Sequence, residues 1–343
     1  MKKIILLIIA EIFYINIFTT NVSAYIDNMS YIRAGILLYT EDTYVSLIKN
    51  NFLKIEEENK DIVDFIFYNA ENNQELQNKQ LDELIDMKVD LIILNVVDAN
   101  EYGILIHKIK QANIPVVFMG REPKSLDIIE TYDKAIYIGS ETCVSGNIQG
   151  EMIINELRNE SLVDRNKNNI LEYILLQGVI NDVTTTLRSE CVIKTLNEHE
   201  IKTKEIASEY CNWNRECAKE RVKYLFEKNK DNIDVIISNN DEMAIGAILA
   251  LQELGYNKGD PKKYIAVVGI DATDPAVKLI REGVMTGTVI QDHEAVVKAV
   301  YRIGMNLVKE NPPLQGTEYK LDKAGVAVMI PYNGYITRKS PNL

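Results

Sequence analysis

Hydrophobic positions fall into two alternating patterns from residue 32 onward. Short continuous apolar runs at Ile32–Tyr39, Phe65–Tyr68, Leu91–Leu94 and Val116–Met119 predict β-strands. Between them, Val45–Glu58 places Leu47, Ile48, Phe52 and Ile55 at helical spacing, and a second helical face carries Leu76, Leu81, Leu84 and Ile85. A further series predicts strands at Tyr173–Leu176, Ile206–Ser208, Val235–Ser238 and Ile265–Ile270, with helices at Val183–Asn197, Arg215–Lys228 and Asp241–Leu254. Apolar runs without polar alternation belong to parallel strands covered by helices on both faces. Two successive series of β-α-β units therefore predict an α/β chain with two doubly wound parallel-sheet domains.

The length of 343 residues agrees, at ~150 residues per domain. Composition (46% hydrophobic, 26% charged, 8% aromatic) is that of an ordinary globular protein. The net charge of -12 repels a phosphate polyanion, and no long basic run offsets it, so nucleic acid is excluded as an expected partner.

The N-terminus reads differently from the rest. Lys2 and Lys3 precede an apolar stretch from Ile4 to Phe18 that is too short to span a bilayer and contains Glu11. Val22-Ser23-Ala24 resembles an A-x-A cleavage site, which makes residues 1–24 a signal peptide, with an uncleaved anchor as the alternative. Its removal takes away two Lys and one Glu, so 36 basic and 49 acidic side chains leave a net charge of -13. The expected product is exported, extracytoplasmic and acidic. Export permits disulfides. Of Cys143, Cys191, Cys211 and Cys217, the last two lie six apart, and either they bridge or all four are buried thiols.

In doubly wound sheets, ligands gather at the carboxyl ends of the strands. The residues at those places are Asp42, Tyr44, Asn95, Asp98, Gly120, Arg121, Asn181–Arg188, Asn239–Asp241 and Asp271. They include no GxSxG elbow, HExxH pair, Walker A loop or GxGxxG turn, so the pattern points away from an enzyme. Amides, carboxylates and guanidinium groups suit a polyhydroxylated ligand, whose hydroxyls both donate and accept.

Asn95-Val96-Val97-Asp98, Pro115-Val116-Val117-Phe118, Tyr132-Asp133-Lys134-Ala135, Asn239-Asn240-Asp241-Glu242-Met243-Ala244 and Val268-Gly269-Ile270-Asp271-Ala272 resemble the galactose/glucose-binding periplasmic proteins. Gly287-Thr288-Val289 and Pro331-Tyr332 match in order, and the resemblance spans roughly residues 31–335. It implies a periplasmic binding protein-like fold of two lobes, 30–140 plus 292–330 and 141–291 plus 331–343, hinged near Ser140, Gln291 and Pro331. It also implies sugar contacts from Asp42, Arg188, Asn240 and Asp271, with Tyr44 and Trp213 stacking on the ring. Four positions depart from the family: Gly120 and Gln291 replace Asn, Asp182 replaces His and Thr184 replaces Asp. Asp182 stands in only as an acceptor. The ligand class of a galactose- or glucose-like monosaccharide survives these changes, while a pentose or glycoside stays open.

Asp164-Arg165-Asn166-Lys167-Asn168-Asn169-Ile170-Leu171-Glu172 places oxygen donors at positions 1, 3, 5 and 9 of an EF-hand-like loop, with the Ile170 carbonyl at position 7. The resemblance adds a distal carboxylate, Asp234, and implies a structural Ca2+ in the second lobe; an Asn-rich surface turn is the alternative reading. The implied partners are a monosaccharide and the membrane permease of an ABC transporter, with a chemoreceptor or sensor kinase as the alternative, and the protein is expected to be a monomer.

Overall fold

The computed structural model describes residues 31–159, 164–229 and 232–338; the leader expected at 1–24 lies outside them. The chain runs β1 (Ile32–Leu38), α1 (Thr43–Glu58), β2 (Val63–Asn69), α2 (Gln74–Asp86), β3 (Leu91–Leu94), α3 (Tyr102–Gln111), β4 (Val116–Met119), the single turn α4 (Asp127–Glu130) and β5 (Ala135–Gly139). It continues with α5 (Thr142–Arg158), β6 (Leu171–Gln177), α6 (Val183–Glu198), β7 (Thr203–Tyr210), α7 (Arg215–Asn229), β8 (Val235–Ser238), α8 (Asp241–Glu253), β9 (Ala266–Asp271), α9 (Asp274–Arg281) and β10 (Gly287–Ile290). It closes with α10 (His293–Val308), β11 (Ala327–Met329) and β12 (Tyr335–Thr337).

Among the described residues these strands form two six-stranded sheets, ordered β11-β5-β4-β3-β1-β2 and β12-β10-β9-β8-β6-β7. The first is parallel throughout, whereas the second ends in the antiparallel β10–β12 pair. Successive strand residues point to opposite faces, so neighbours in a run enter different cores. Leu38 and Ile93 pack with Phe52 of α1 and Ile303 of α10, while Leu37 and Ile92 pack with Leu84 of α2 and Ile106 of α3. In the second sheet Leu176 and Ile236 meet Phe226 of α7 and Leu251 of α8; Leu175 and Ile237 meet Ile153 of α5 and Leu196 of α6. Burying a side chain such as Phe52 completely contributes on the order of 2–3 kcal/mol.

The chain passes between the sheets three times, after β5, after β10 and after β11. Helix α10, which follows a strand of the second sheet, packs in the core of the first. Each lobe is consequently assembled from separated stretches of sequence.

Strand β7 is longer than the predicted Ile206–Ser208 because it is a half-exposed edge whose polar residues hide the pattern. The expectation for the cysteines needs correction. Cys211 and Cys217 are free, and the disulfide joins Cys143 of α5 to Cys191 of α6. Glycines on α5 allow that close approach. A Cβ at Gly146 would lie 2.8 Å from the Arg188 carbonyl oxygen, and one at Gly150 would lie 2.7 Å from the Thr195 Cβ.

Candidate ligand-binding site

Several candidate residues owe their position to helix capping. Asp42 precedes α1, and its Oδ1 accepts from the Val45 N–H at 2.8 Å. Asp182 caps α6 through the Thr185 N–H at 2.9 Å, and Asn240 caps α8 through the Met243 N–H at 3.0 Å. Short polar side chains at these places satisfy backbone donors that the first helical turn leaves unpaired. Helices that follow parallel strands begin at the strands' carboxyl ends. Capping therefore places these carboxylates and amides in the cleft between the sheets.

All eight residues expected to contact sugar, Asp42, Tyr44, Asp182, Arg188, Trp213, Asn240, Asp271 and Gln291, line one cavity. Its volume is about 120 Å³. At ~10–15 Å³ per water-sized position, that is room for on the order of ten non-hydrogen atoms, close to one monosaccharide. Gly120 and Thr184 line it as well.

Arg188 anchors the floor. Its NH1 donates to the Asn239 carbonyl at 2.6 Å, and NH2 donates to Gln291 Oε1 at 2.9 Å and more weakly to the Tyr332 hydroxyl at 3.4 Å. Gln291 and Tyr332 sit on two of the crossings, so one guanidinium ties both to the second lobe. The Asp271 carboxylate lies 3.7 Å from NH1. Arg188 Nε is buried with no hydrogen-bond partner among the described atoms.

Asp271 takes φ +127°, a region that side-chain-bearing residues rarely adopt, and Ala272 follows at +56°. Strain of this kind collects at binding sites, held by the surrounding structure. Here the Asp241 backbone N–H donates to the Asp271 carboxylate. Burial pushes the Asp271 carboxyl well above the usual carboxylate range, and the Arg188 guanidinium opposes that rise. Burial also raises Asp42, against donation from Val45 and from the Tyr39 hydroxyl, 2.7 Å from Oδ2.

Trp213 also sits at positive φ, +63°, after Asn212 at +49°. Its six-membered ring lies over Gly178, where a Cβ would fall 2.1 Å from Cζ2, and Asn240 Nδ2 donates weakly to the Trp213 carbonyl at 3.4 Å. The Arg188 guanidinium stands 5.9 Å from the indole.

Three lining residues, Tyr39, Arg121 and Tyr332, were not among the expected sugar contacts. Arg121 did lie among the strand-end residues, and Tyr332 within a matching motif. Tyr39, one residue beyond β1, carried only its position as a signal. The Gly120 departure has a steric reason: φ is +77°, and a Cβ would lie 2.5 Å from Asn95 Nδ2, which donates to the Met119 carbonyl.

The Asp164–Glu172 segment forms a tight polar loop. Asp164 accepts from the Lys167 and Asn169 N–H groups, both at 2.7 Å, and Asn168 Oδ1 accepts from Ile170 N–H at 2.8 Å. Lys167 and Asn169 take positive φ. Asp234 bridges the loop ends, accepting from Arg165 and Glu172 N–H groups at 2.9 Å each. Glu172 meets Asn166 Nδ2 at 2.5 Å and Lys204 Nζ at 2.8 Å. Carboxylate, amide and carbonyl oxygens form the donor set a hard cation prefers. No group of three or more Asp, Glu, His or Cys converges as a metal cluster among the described residues.

A family model described as the periplasmic binding protein domain matches residues 35–312. The chain is 32% identical over 306 residues to the D-galactose/methyl-galactoside binding periplasmic protein of Haemophilus influenzae, with 88% of each chain covered. It is 27% identical to a putative rhizopine-binding protein of Rhizobium meliloti, over 74% of this chain and 76% of that one. Among solved structures, an ABC transporter solute binding protein from Bacillus halodurans with bound myo-inositol superposes with a TM-score of 0.73 at 25% identity, covering 91% and 96% of the two chains. A match over most of the chain, together with a relative above 30% identity, leads to one conclusion: the chain belongs to the periplasmic binding protein domain family.

Proposed function

We propose that this protein is an exported, non-enzymatic receptor that captures a monosaccharide between its lobes and delivers it to the permease of an ABC transporter. The carrying observation is the cavity. Aromatic side chains from both lobes, Tyr44 and Trp213, line it together with Asp42, Asp182, Arg188, Asn240 and Asp271. Aromatic faces suit the apolar C–H face of a pyranose, and the polar groups read its hydroxyls. The named ligands of the relatives, a galactoside and myo-inositol, are neutral polyhydroxylated rings, which supports the same class. Galactose or glucose is the finer choice. Closure about the three crossings, near Ser140, Gln291 and Pro331, would shut the site from water. The Cys143–Cys191 disulfide supports an oxidising, extracytoplasmic location.

In the same reading, Asp164, Asn166, Asn168, the Ile170 carbonyl, Glu172 and Asp234 hold a structural Ca2+, which cross-links the loop to the starts of the neighbouring strands β6 and β8. Lys204 then gives up Glu172 to the stronger cation.

The test is a thermal-shift screen over hexoses, pentoses, myo-inositol and methyl glycosides, followed by calorimetry. Trp213→Ala should weaken the best sugar about 30-fold, since loss of ring burial and stacking is on the order of 2 kcal/mol. Unchanged affinity in that variant would refute the site.

A further inference from the structure

We propose that the Cys143–Cys191 disulfide is a positioning element of the ligand site: it fastens the first crossing between the lobes to the helix that carries Arg188, so that ligand affinity depends on the bond being intact. The proposal rests on the sugar-binding reading above and adds a redox control to that same site.

Helix α6 is where the three crossings meet. The second and third are held by Arg188, which donates to Gln291 Oε1 at 2.9 Å and to the Tyr332 hydroxyl at 3.4 Å. The first crossing ends in the opening turn of α5, where the Thr142 hydroxyl donates to Glu122 of the first lobe at 3.0 Å. Cys143 follows directly. Its bond lands on Cys191, about one helical turn beyond Arg188. One helix thus holds all three crossings, two through a guanidinium and one through a covalent bond.

Among the described residues, little else ties that end of α5 to α6. Gly146 and Gly150 supply no side chain at the contact, and a Cβ on Gly146 would lie 2.9 Å from the Cys191 Cβ and 2.8 Å from the Arg188 carbonyl oxygen. The Thr195 hydroxyl donates to Asn147 Oδ1 at 3.1 Å one turn further along α5, and Ile153 packs further still. Reduction replaces the covalent tie by two thiols, which attract one another only weakly. The α6 backbone around Arg188 is then free to shift against the first crossing. Arg188 has no slack to absorb a shift, because its side chain is 7% exposed and NH1 donates to the Asn239 carbonyl at 2.6 Å. Asp182 and Thr184, at the start of the same helix, also line the cavity. Binding groups must be held to within ~0.5 Å by the elements beneath them.

Reduction by a dithiol needs no other reactant. One thiolate attacks a sulfur of the bond, and the second thiol then displaces the mixed disulfide. The protein gains two electrons and two protons as the Cys143 and Cys191 thiols, while the dithiol closes to its own disulfide. Cys143 is partly exposed and Cys191 buried, so an incoming thiolate meets the bond from the Cys143 side. Cys211 and Cys217 are thiols already, packed with α7 and α8 on the other face of the sheet, and take no part. If the bond tightens the ligand, the ligand must make the bond harder to reduce by the same factor.

The test is calorimetric titration of D-galactose, D-glucose, D-ribose and myo-inositol into oxidised protein, protein reduced with dithiothreitol, and Cys143→Ser/Cys191→Ser. All three are held at a temperature where melting curves show them folded. Whichever sugar binds oxidised protein should bind the other two forms at least ~5-fold more weakly. Reoxidation should restore affinity to the reduced protein, and reductant should leave the variant unchanged. Thiol titration across ratios of reduced to oxidised dithiothreitol gives a readout that a merely structural bond would not move. Saturating sugar should make the reduction potential of the pair more negative by the same factor, ~20 mV for a 5-fold change. Equal affinity in the three forms, or a potential that sugar does not move, would overturn this inference and leave the receptor reading standing. A loss that reductant also produces in the variant would overturn the assignment to Cys143–Cys191. Failure of all four sugars to bind oxidised protein would overturn the receptor reading itself, and this inference with it.

Discussion

Beneath the cavity floor, Asp241 is a fully buried carboxylate with both oxygens occupied. Thr288 Oγ1 donates to Oδ1 at 2.6 Å, and the Thr273 N–H and hydroxyl donate to Oδ2 at 2.8 and 3.1 Å. Burial raises its pKa to about 7 despite those donors. The unfolded chain titrates at 3.8 and the folded protein at about 7, so folding favours the protonated form. That contribution is fully present below pH ~4 and disappears as pH rises through 7. Asp42 and Asp271, also raised by burial, act in the same direction. Thermal melts should therefore show stability falling between about pH 4 and 7, by up to about 1.4 kcal/mol per pH unit from one such group. Asp241→Asn should flatten that slope, and a slope equal to wild type would refute the assignment. At this scale the sequence is informative wherever one residue serves two ends. Asp42, Asp182 and Asn240 are legible because an Asx residue between a strand and a helix is both a cap and a cleft residue. The φ of Asp271 and the reach of Arg121 are not, since both depend on neighbours from elsewhere in the chain.

The same limit operates on whole elements. Apolar spacing marks α1, α6 and α8, yet α5 buries Thr142, Ser145, Gly146, Gln149 and Gly150, a face with no hydrophobic stripe to read. In its first turns the fit to α6 comes from missing side chains, with Ile153 adding apolar contact only further along, and the two helices are close enough for Cys143 to bond Cys191. A separation of 48 residues conceals that pairing, whereas the six-residue spacing of Cys211 and Cys217 suggests one that the fold does not make. Closing a loop of this length restricts the unfolded chain by about 4 kcal/mol in the entropic account. Replacing both Cys143 and Cys191 with Ser should accordingly lower stability by about 2–4 kcal/mol in urea unfolding under oxidising conditions. An unchanged midpoint would show that glycine packing alone holds the helix pair.

Length and periodicity indicate two doubly wound units but carry no sign that each is discontinuous; apart from the family resemblance, only the sheet order reveals it, because β11 and β12 are three-residue strands too short to register as a pattern. Among the described residues, the polar contacts that join the lobes include the Thr142 hydroxyl donating to Glu122 at 3.0 Å and two across the cleft. Arg121 faces Asp182, and the Thr43 hydroxyl donates to Glu242, itself clamped by Arg215 at 2.9 and 2.8 Å. These are few, polar contacts, so much of the stability of the closed form must come from what lies between the lobes. A ligand that binds only the folded state stabilises in proportion to the logarithm of its concentration over Kd. A sugar touching both lobes should then raise the melting of the whole molecule. Calcium at the proposed Asp164–Glu172 and Asp234 site would touch the second lobe alone. Differential scanning calorimetry should show the sugar shifting the entire unfolding profile, and calcium shifting chiefly the part contributed by the second lobe. Chelator should reverse the calcium shift and leave the sugar shift in place. Asp164→Ala should abolish the calcium response while sugar still stabilises; an equal calcium shift in that variant would remove the loop as its source.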